Sequence, residues 1–375
     1  MILPEFLYYL GYSIKKRHVF KNQKKLPHKV ISIGNLTLGG TGKTPATIAL
    51  AEEAREIGFK PCILTRGYRG RARGPCFVSR GERPLLDAYQ AGDEALLMAE
   101  KLKGVPIVKG KDRYKAGMFA LSSLSPALCP DLFILDDGFQ HWGLFRDKDI
   151  LLIDSTNPFG NRRLLPLGSL REPISEISRA DLIVITKVPS DQQSAFSNQK
   201  SVDTPSLTLP PRGRGMGGGG HRQRSGVKAL SEEIRQYNTR APIFFAGHRH
   251  SKFIKTTGNT LPLEWAKGKR FFGFCGIGNP QSFRKTLLSA DIELTGFKPF
   301  RDHYRYSQGD IQEIIRNAKG YNSDWIVTTE KDIMRLKGFA LPENVVSLGI
   351  EFSVDERFYE EVLGGLDGQV YKCQE

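Results

Sequence analysis

Through the first half of the chain, short apolar runs rich in β-branched residues alternate with segments of helical period. HKVISIGNL (28–36) reads as a strand, and KTPATIALAEEAREIG (43–58) follows with apolar positions spaced for one helix face. KPCILTR (60–66), VPIVKG (105–110), LFILDD (132–137), DILLID (149–154) and DLIVITK (181–187) are further strands. AGDEALLMAEKLK (91–103) and DRYKAGMFALSSL (112–124) are the helices among them. Strands this apolar, separated by helices, predict an α/β domain over 28–189, a mostly parallel Rossmann-like sheet covered on both faces. Ligands of such sheets gather at the carboxyl ends of the strands.

The rhythm breaks after Lys187. Residues 190–228 hold almost no large apolar side chains and a run of four glycines, the composition of a flexible insertion or linker. Beyond it, APIFFAGHRH (241–250), RFFGFCGIGNP (270–280), LTGFKPF (294–300), DWIVTTEKD (324–332) and NVVSLGIEF (344–352) resume a β/α pattern. A second, smaller α/β domain is expected over 229–375, closing over the active site. No internal repeat is evident.

Residues 1–27 form a distinct N-terminal segment. Its uncharged stretch from Phe6 to Ile14 is nine residues, far short of the ~20 that span a bilayer. The apolar run precedes the basic cluster Lys15, Lys16, Arg17, Lys21, Lys24 and Lys25, the reverse of a secretory signal. Two readings fit: a helix lying in a membrane interface, or a docking helix whose basic end is solvated. The composition adds weight to an anionic partner, because 375 residues carry a formal net charge of +15. Cys62, Cys76, Cys129, Cys275 and Cys373 form no C-x-x-C pair and are expected to be reduced thiols of a cytosolic protein.

The chemistry concentrates in IGNLTLGGTGKTP (33–45), directly after a strand and directly before a helix. Gly39, Gly40 and Gly42 allow backbone N–H groups to turn inward around phosphates, Lys43 would reach the β- and γ-phosphates, and the Thr44 hydroxyl would ligate Mg²⁺. Thr41 completes the loop. The glycine expected five residues before Gly42 is Thr37, so the loop must enter at a different angle. LFILDDGFQH (132–141) is an apolar strand ending in two carboxylates, of which Asp136 or Asp137 would serve the metal; adjacent acids also occur as caps and turns. Asp93 and Glu94 open a helix, where capping and the helix dipole account for acids without any catalysis. Asp302 and His303 suit proton handling, though such a pair also occurs in surface turns. Thr186–Lys187 and TTEKD (328–332) end strands and suit either nucleotide contact or ordinary strand-end polarity.

Taken in order, IGNLTLGGTGKTP, LTRGY (64–68), AGDEALLMA, DDGFQH, LPLGSLREP (165–173), VITK, FCGIGNP (274–280), FRDHYRYS (300–307) and TTEKD resemble the tetraacyldisaccharide 4'-kinase family of lipid A biosynthesis. The resemblance covers most of residues 30–335, and that family shares the loop without the leading glycine. It implies ATP- and Mg²⁺-dependent phosphoryl transfer to the 4'-hydroxyl of a tetraacyldisaccharide 1-phosphate, giving lipid IVA, at the cytoplasmic face of the inner membrane. It implies two Rossmann-like domains with the active site between them, and an N-terminal segment docked on the anionic bilayer. Asp93 becomes the base, paired with His303 from the other domain only when the domains close. Lys43 is the phosphate lysine, Thr37 to Thr44 form the ATP loop, and Thr44, Glu94 and Asp136 are the metal-side residues. No nucleic acid and no obligate protein partner is expected. The rival reading is a membrane- or nucleoid-associated P-loop switch ATPase, but those proteins usually carry a lysine where this chain has Leu38. A nucleic-acid binder is suggested by charge alone, with no reading module to support it.

Overall fold

The computed structural model describes residues 3–189 and 219–365. The expected insertion at 190–228 therefore lies outside the described residues as far as 218. From Gly219 the chain is not a linker: it is helical over Gly219–Tyr237.

In chain order the strands are β1 Lys29–Gly34, β2 Pro61–Thr65, β3 Cys76–Arg80, β4 Pro106–Lys109, β5 Leu132–Asp136, β6 Lys148–Asp154 and β7 Leu182–Thr186. They continue as β8 Ile243–Phe245, β9 Gly247–Lys255, β10 Thr260–Pro262, β11 Arg270–Cys275, β12 Glu293–Pro299, β13 Trp325–Thr329 and β14 Val345–Ser353. The described chain divides into two compact units, 3–43 with 137–189, 219–248 and 352–365, and 44–136 with 249–351. Each unit contains part of both segments that the sequence pattern set apart.

In the first unit, β1, β6, β7 and β8 pair in that order, all parallel, with Ile33 opposite Ile150 and Leu152 opposite Val184. Both faces of the inner strands are covered, as continuous apolar runs require. Leu36, Phe139, Leu151, Ile153, Ile183, Ile185 and Ile234 form its core. The helix Leu3–Lys21 belongs to this unit. Glu5 accepts the Leu164 backbone N–H at 2.9 Å, the Tyr8 hydroxyl donates to the Arg171 carbonyl at 2.8 Å, and Tyr12 stacks edge-on against Trp142 at 5.2 Å. Leu3, Leu7, Leu10 and Ile14 recur every three to four residues and stay exposed.

In the second unit, β2 pairs parallel with β4 and β5, while β3 runs antiparallel to β4 at an edge. A separate six-stranded sheet has the order β10-β9-β14-β13-β11-β12. Its β11, β12, β13 and β14 pairings are parallel, and β9–β10 is an antiparallel hairpin. Phe253, Phe271, Cys275, Phe283, Leu287 and Val327 pack together beside it. Helix Asp93–Lys101 packs on helix Glu330–Leu336, which brings the end of β13 to the start of the earlier helix. Cys62, Cys76 and Cys275 are free thiols, whereas Cys129 is half of a disulfide and departs from the expectation of reduced cysteines throughout.

Candidate functional site

The phosphate loop begins where β1 ends. Gly39 and Gly42 adopt φ of 126° and 89°, a region that side chains with a Cβ disfavour, and Cβ atoms at Gly39 or Gly40 would meet nothing within 4 Å. The concave side is thus open backbone. Thr37 explains the missing glycine. It is buried, forms an antiparallel bridge with Leu170, and its carbonyl accepts the Asn35 amide at 2.8 Å. Leu38 N–H donates to the Ser169 carbonyl at 2.7 Å. The chain enters as a paired extended segment rather than a tight turn, so no left-handed residue is needed there. From β7, the Thr186 hydroxyl donates to the Thr41 carbonyl at 3.0 Å and props the loop from its other side.

Lys43 opens the helix Lys43–Glu56. Its ammonium donates to Asn35 Oδ1 at 3.2 Å and lies 3.6 Å from Asp137. Asp137 also takes Arg171 at 2.9 and 3.0 Å, and Arg171 donates to Gln140, whose amide holds the Asn35 carbonyl at 2.8 Å. One carboxylate therefore sets two cations side by side, an arrangement suited to phosphate oxygens. Sequence reasoning assigned no role to Asn35, Gln140 or Arg171. The signal lay in the quoted segments DDGFQH and LPLGSLREP, whose spatial meeting no spacing rule discloses.

In the second unit, Asp136 ends β5, buried, with Oδ2 accepting the Thr65 hydroxyl at 3.0 Å. Thr44 is buried as well. The adjacent carboxylates thus divide their work: Asp137 balances cations, and Asp136 is the acid at the strand's carboxyl end. Glu94 is ion-paired with Lys331. Burial alone would lower the Lys331 ammonium, but Glu94, Asp93 and Asp136 hold it above its ordinary range. Among the described residues no group of three or more His, Cys, Asp or Glu could hold a metal. Hydroxyl and carboxylate oxygens, few in number, nevertheless fit a hard Mg²⁺ that keeps water and phosphate oxygens as its other ligands.

Asp93 starts helix Asp93–Lys101 because Gly92 delivers it there. Gly92 has φ 93°, and a Cβ would stand 2.5 Å from the Tyr68 carbonyl. His303 Nδ1 lies 3.1 Å from Asp93 Oδ2, and the His303 backbone N–H donates to the Gly276 carbonyl at 2.9 Å. The two residues that the sequence separated into two domains sit within one compact unit, with their contact made. Arg335, unmarked by the sequence reading, donates to the same Asp93 oxygen through Nε at 3.1 Å and through Nη2. Burial would raise the Asp93 carboxyl, but the His303 contact and the Arg335 guanidinium override it and hold it well below the usual carboxylate range.

The strand-end segments resolve into supports. Thr329 caps helix Glu330–Leu336, Glu330 pairs with Lys101 at 2.6 Å, and Asp332 accepts Tyr306 at 2.9 Å and the Gly276 N–H at 3.1 Å. Lys187 pairs with Asp154. Asp302 is exposed, with its carboxylate 3.9 Å from His303 Nε2. No helix of the described residues is long and apolar enough to cross a membrane.

Comparison with known proteins matches residues 4–366 to the family described as Tetraacyldisaccharide-1-P 4'-kinase. The tetraacyldisaccharide 4'-kinase of Syntrophus aciditrophicus is 36% identical over 353 residues, covering 92% of this chain and 86% of that protein. That of Halothermothrix orenii is 34% identical over 345 residues, covering 87% and 80%. A crystal structure of LpxK from Aquifex aeolicus in complex with ATP is similar with a TM-score of 0.69 and 30% identity, covering 96% of each chain.

Proposed function

Because the chain belongs to the tetraacyldisaccharide-1-P 4'-kinase family, we infer that it transfers the γ-phosphoryl group of ATP to the 4'-hydroxyl of tetraacyldisaccharide 1-phosphate. The product is lipid IVA. The observation that carries the reading beyond family membership is the presence in one chain of a glycine-rich phosphate loop and of a buried aspartate, Asp93, in contact with His303.

Each half supplies what the reaction lacks in water. A sugar hydroxyl is a poor nucleophile, so a carboxylate must take its proton as the new bond forms; Asp93 has that role, oriented by His303. The loop N–H groups, Lys43 and Arg171 receive the phosphates and stabilise charge as the bond to ADP breaks. Thr44 and Asp136 would hold Mg²⁺, with Glu94 reaching it only by sharing or releasing Lys331. When bound, the metal neutralises charge on the β- and γ-phosphates.

The acceptor is a lipid, and the exposed row Leu3, Leu7, Leu10 and Ile14 with its trailing lysines suits a helix resting in the interface of an anionic bilayer. We place the enzyme at the cytoplasmic face of the inner membrane, where ATP is available, without nucleic acid or an obligate protein partner. The test is a transfer assay with γ-labelled ATP and the acceptor in mixed micelles, followed by chromatography of the lipid. Label should move into lipid with wild type and fall by ~100-fold or more with Lys43→Ala, the cost of one charge-stabilising group. ATP hydrolysis stimulated by vesicles without labelled lipid would instead support the switch-ATPase reading.

A further inference from the structure

We propose that Arg335, fixed by Asp332, is a positioning residue that occupies one oxygen of Asp93 and thereby makes the other, Oδ1, the oxygen that takes the acceptor's proton. The proposal rests on the kinase reading above. Three nitrogens converge on Asp93 Oδ2: His303 Nδ1 at 3.1 Å, Arg335 Nε at 3.1 Å and Arg335 Nη2, which also lies 3.3 Å from His303 Nδ1. Asp93 Oδ1 accepts no hydrogen bond among the described residues, although the residue is only 6% exposed.

Arg335 cannot swing away cheaply. Its Nη1 donates to Asp332 Oδ1 at 2.8 Å and to the Gly276 carbonyl at 2.7 Å. Asp332 is fully buried and held in turn by Tyr306, Thr329 and the Gly276 N–H. That same Gly276 carbonyl accepts the His303 backbone N–H. Carboxylate, imidazole and guanidinium are thus located by one peptide unit and one buried acid. The charged and titratable groups around Asp93 and its partners are Arg335, Asp332 and Lys331 on helix Glu330–Leu336, Glu94 on its own helix, Asp136 at the end of β5, and Asp302, His303 and Tyr306 from the segment after β12.

The 4'-oxygen forms its bond to the γ-phosphorus, the bond from that phosphorus to the β–γ bridging oxygen breaks, and ADP leaves with the electron pair. The hydroxyl proton passes to Asp93 Oδ1. The guanidinium, held on Oδ2, leaves Oδ1 without a donor of its own to compete with the hydroxyl.

The experiment compares Arg335→Ala and Arg335→Lys with wild type in kcat and KM for lipid, in ATP affinity, in melting temperature, and in rescue by millimolar guanidinium. For Arg335→Ala we expect kcat lower by on the order of 100-fold, with ATP affinity and KM for lipid nearly unchanged. Guanidinium should restore part of kcat, and ammonium should not. Arg335→Lys keeps the charge but loses the second arm, so kcat should still fall. Should Arg335→Ala fail to fold, the lysine variant carries the test alone, with a kcat loss larger than its loss of melting temperature accounts for. Activity lost only in proportion to thermal stability, without rescue by guanidinium, would reduce Arg335 to a structural ion pair and overturn the proposal. Absence of lipid product from wild type would sink the kinase reading, and the proposal with it.

Discussion

At the scale of single residues, the Asp93–His303 unit makes the sharpest demand. Asp93 is buried with its charge balanced by Arg335, and His303 touches the oxygen that Arg335 also holds. Groups that act as one unit lose activity non-additively. Asp93→Asn should lower kcat by orders of magnitude with ATP affinity nearly intact, and His303→Ala should lower it less. The double variant should be close to Asp93→Asn alone; kcat losses that multiply would show two independent roles. Sequence reasoning reached this pair only through family resemblance, since acids opening a helix are ordinary. It missed Arg335 because an arginine three residues after an acid on a short helix looks like a surface ion pair. Only the fold shows that Arg335 is turned inward, 8% exposed in its side chain. The division of labour between Asp136 and Asp137 was equally illegible: the two differ by backbone conformation, with Asp137 at φ 51°.

At the scale of elements, the strands were legible because burial on both faces writes itself as runs of Val, Ile and Leu, and β1, β2, β4, β5, β6 and β7 fall where those runs stand. β3, an edge strand ending in an exposed Arg80, has no such signature. The N-terminal helix, Leu3–Lys21, runs past its apolar stretch, and Lys16 ties that later part to Glu176 of the first unit. Replacing Leu7 and Ile14 together by glutamate should weaken binding to anionic vesicles by about 100-fold or more, at ~1.5 kcal/mol or more per apolar side chain withdrawn. ATP binding should not change, and unchanged vesicle binding in a flotation assay would move the anchor elsewhere.

The same helix has a pH-dependent footing. Glu172 is fully buried; burial pushes its carboxyl up, against Arg179 and with Glu176, to about 7. A raised carboxyl contributes stability that is fully present below its unfolded value near 4.5 and is lost as pH rises through about 7. Asp93 has the opposite sign, its contribution being lost as pH falls. Lys16 on the helix pairs with Glu176 at 2.5 Å, so the helix shares this charge cluster. Thermal melts between pH 5 and 8 should therefore show a smaller decline for Glu172→Gln than for wild type. Equal slopes would mean that Glu172 is ionised throughout.

At the scale of the whole molecule, the formal charge of +15 suits the anionic lipid acceptor, and on the proposed membrane docking the basic residues after the apolar helix stretch would face an anionic surface. Raising salt from 0.05 to 0.5 M should weaken vesicle association, since surface charges are screened over less than ~10 Å. The most direct measurement of the central claim is the position of the new phosphate. Purified enzyme, ATP and tetraacyldisaccharide 1-phosphate should yield a lipid with two phosphomonoesters, the second coupled to the proton at the 4' carbon in a phosphorus–proton correlation spectrum. A phosphate coupled to any other sugar position, or ATP consumed with all phosphate released to water, would contradict the account.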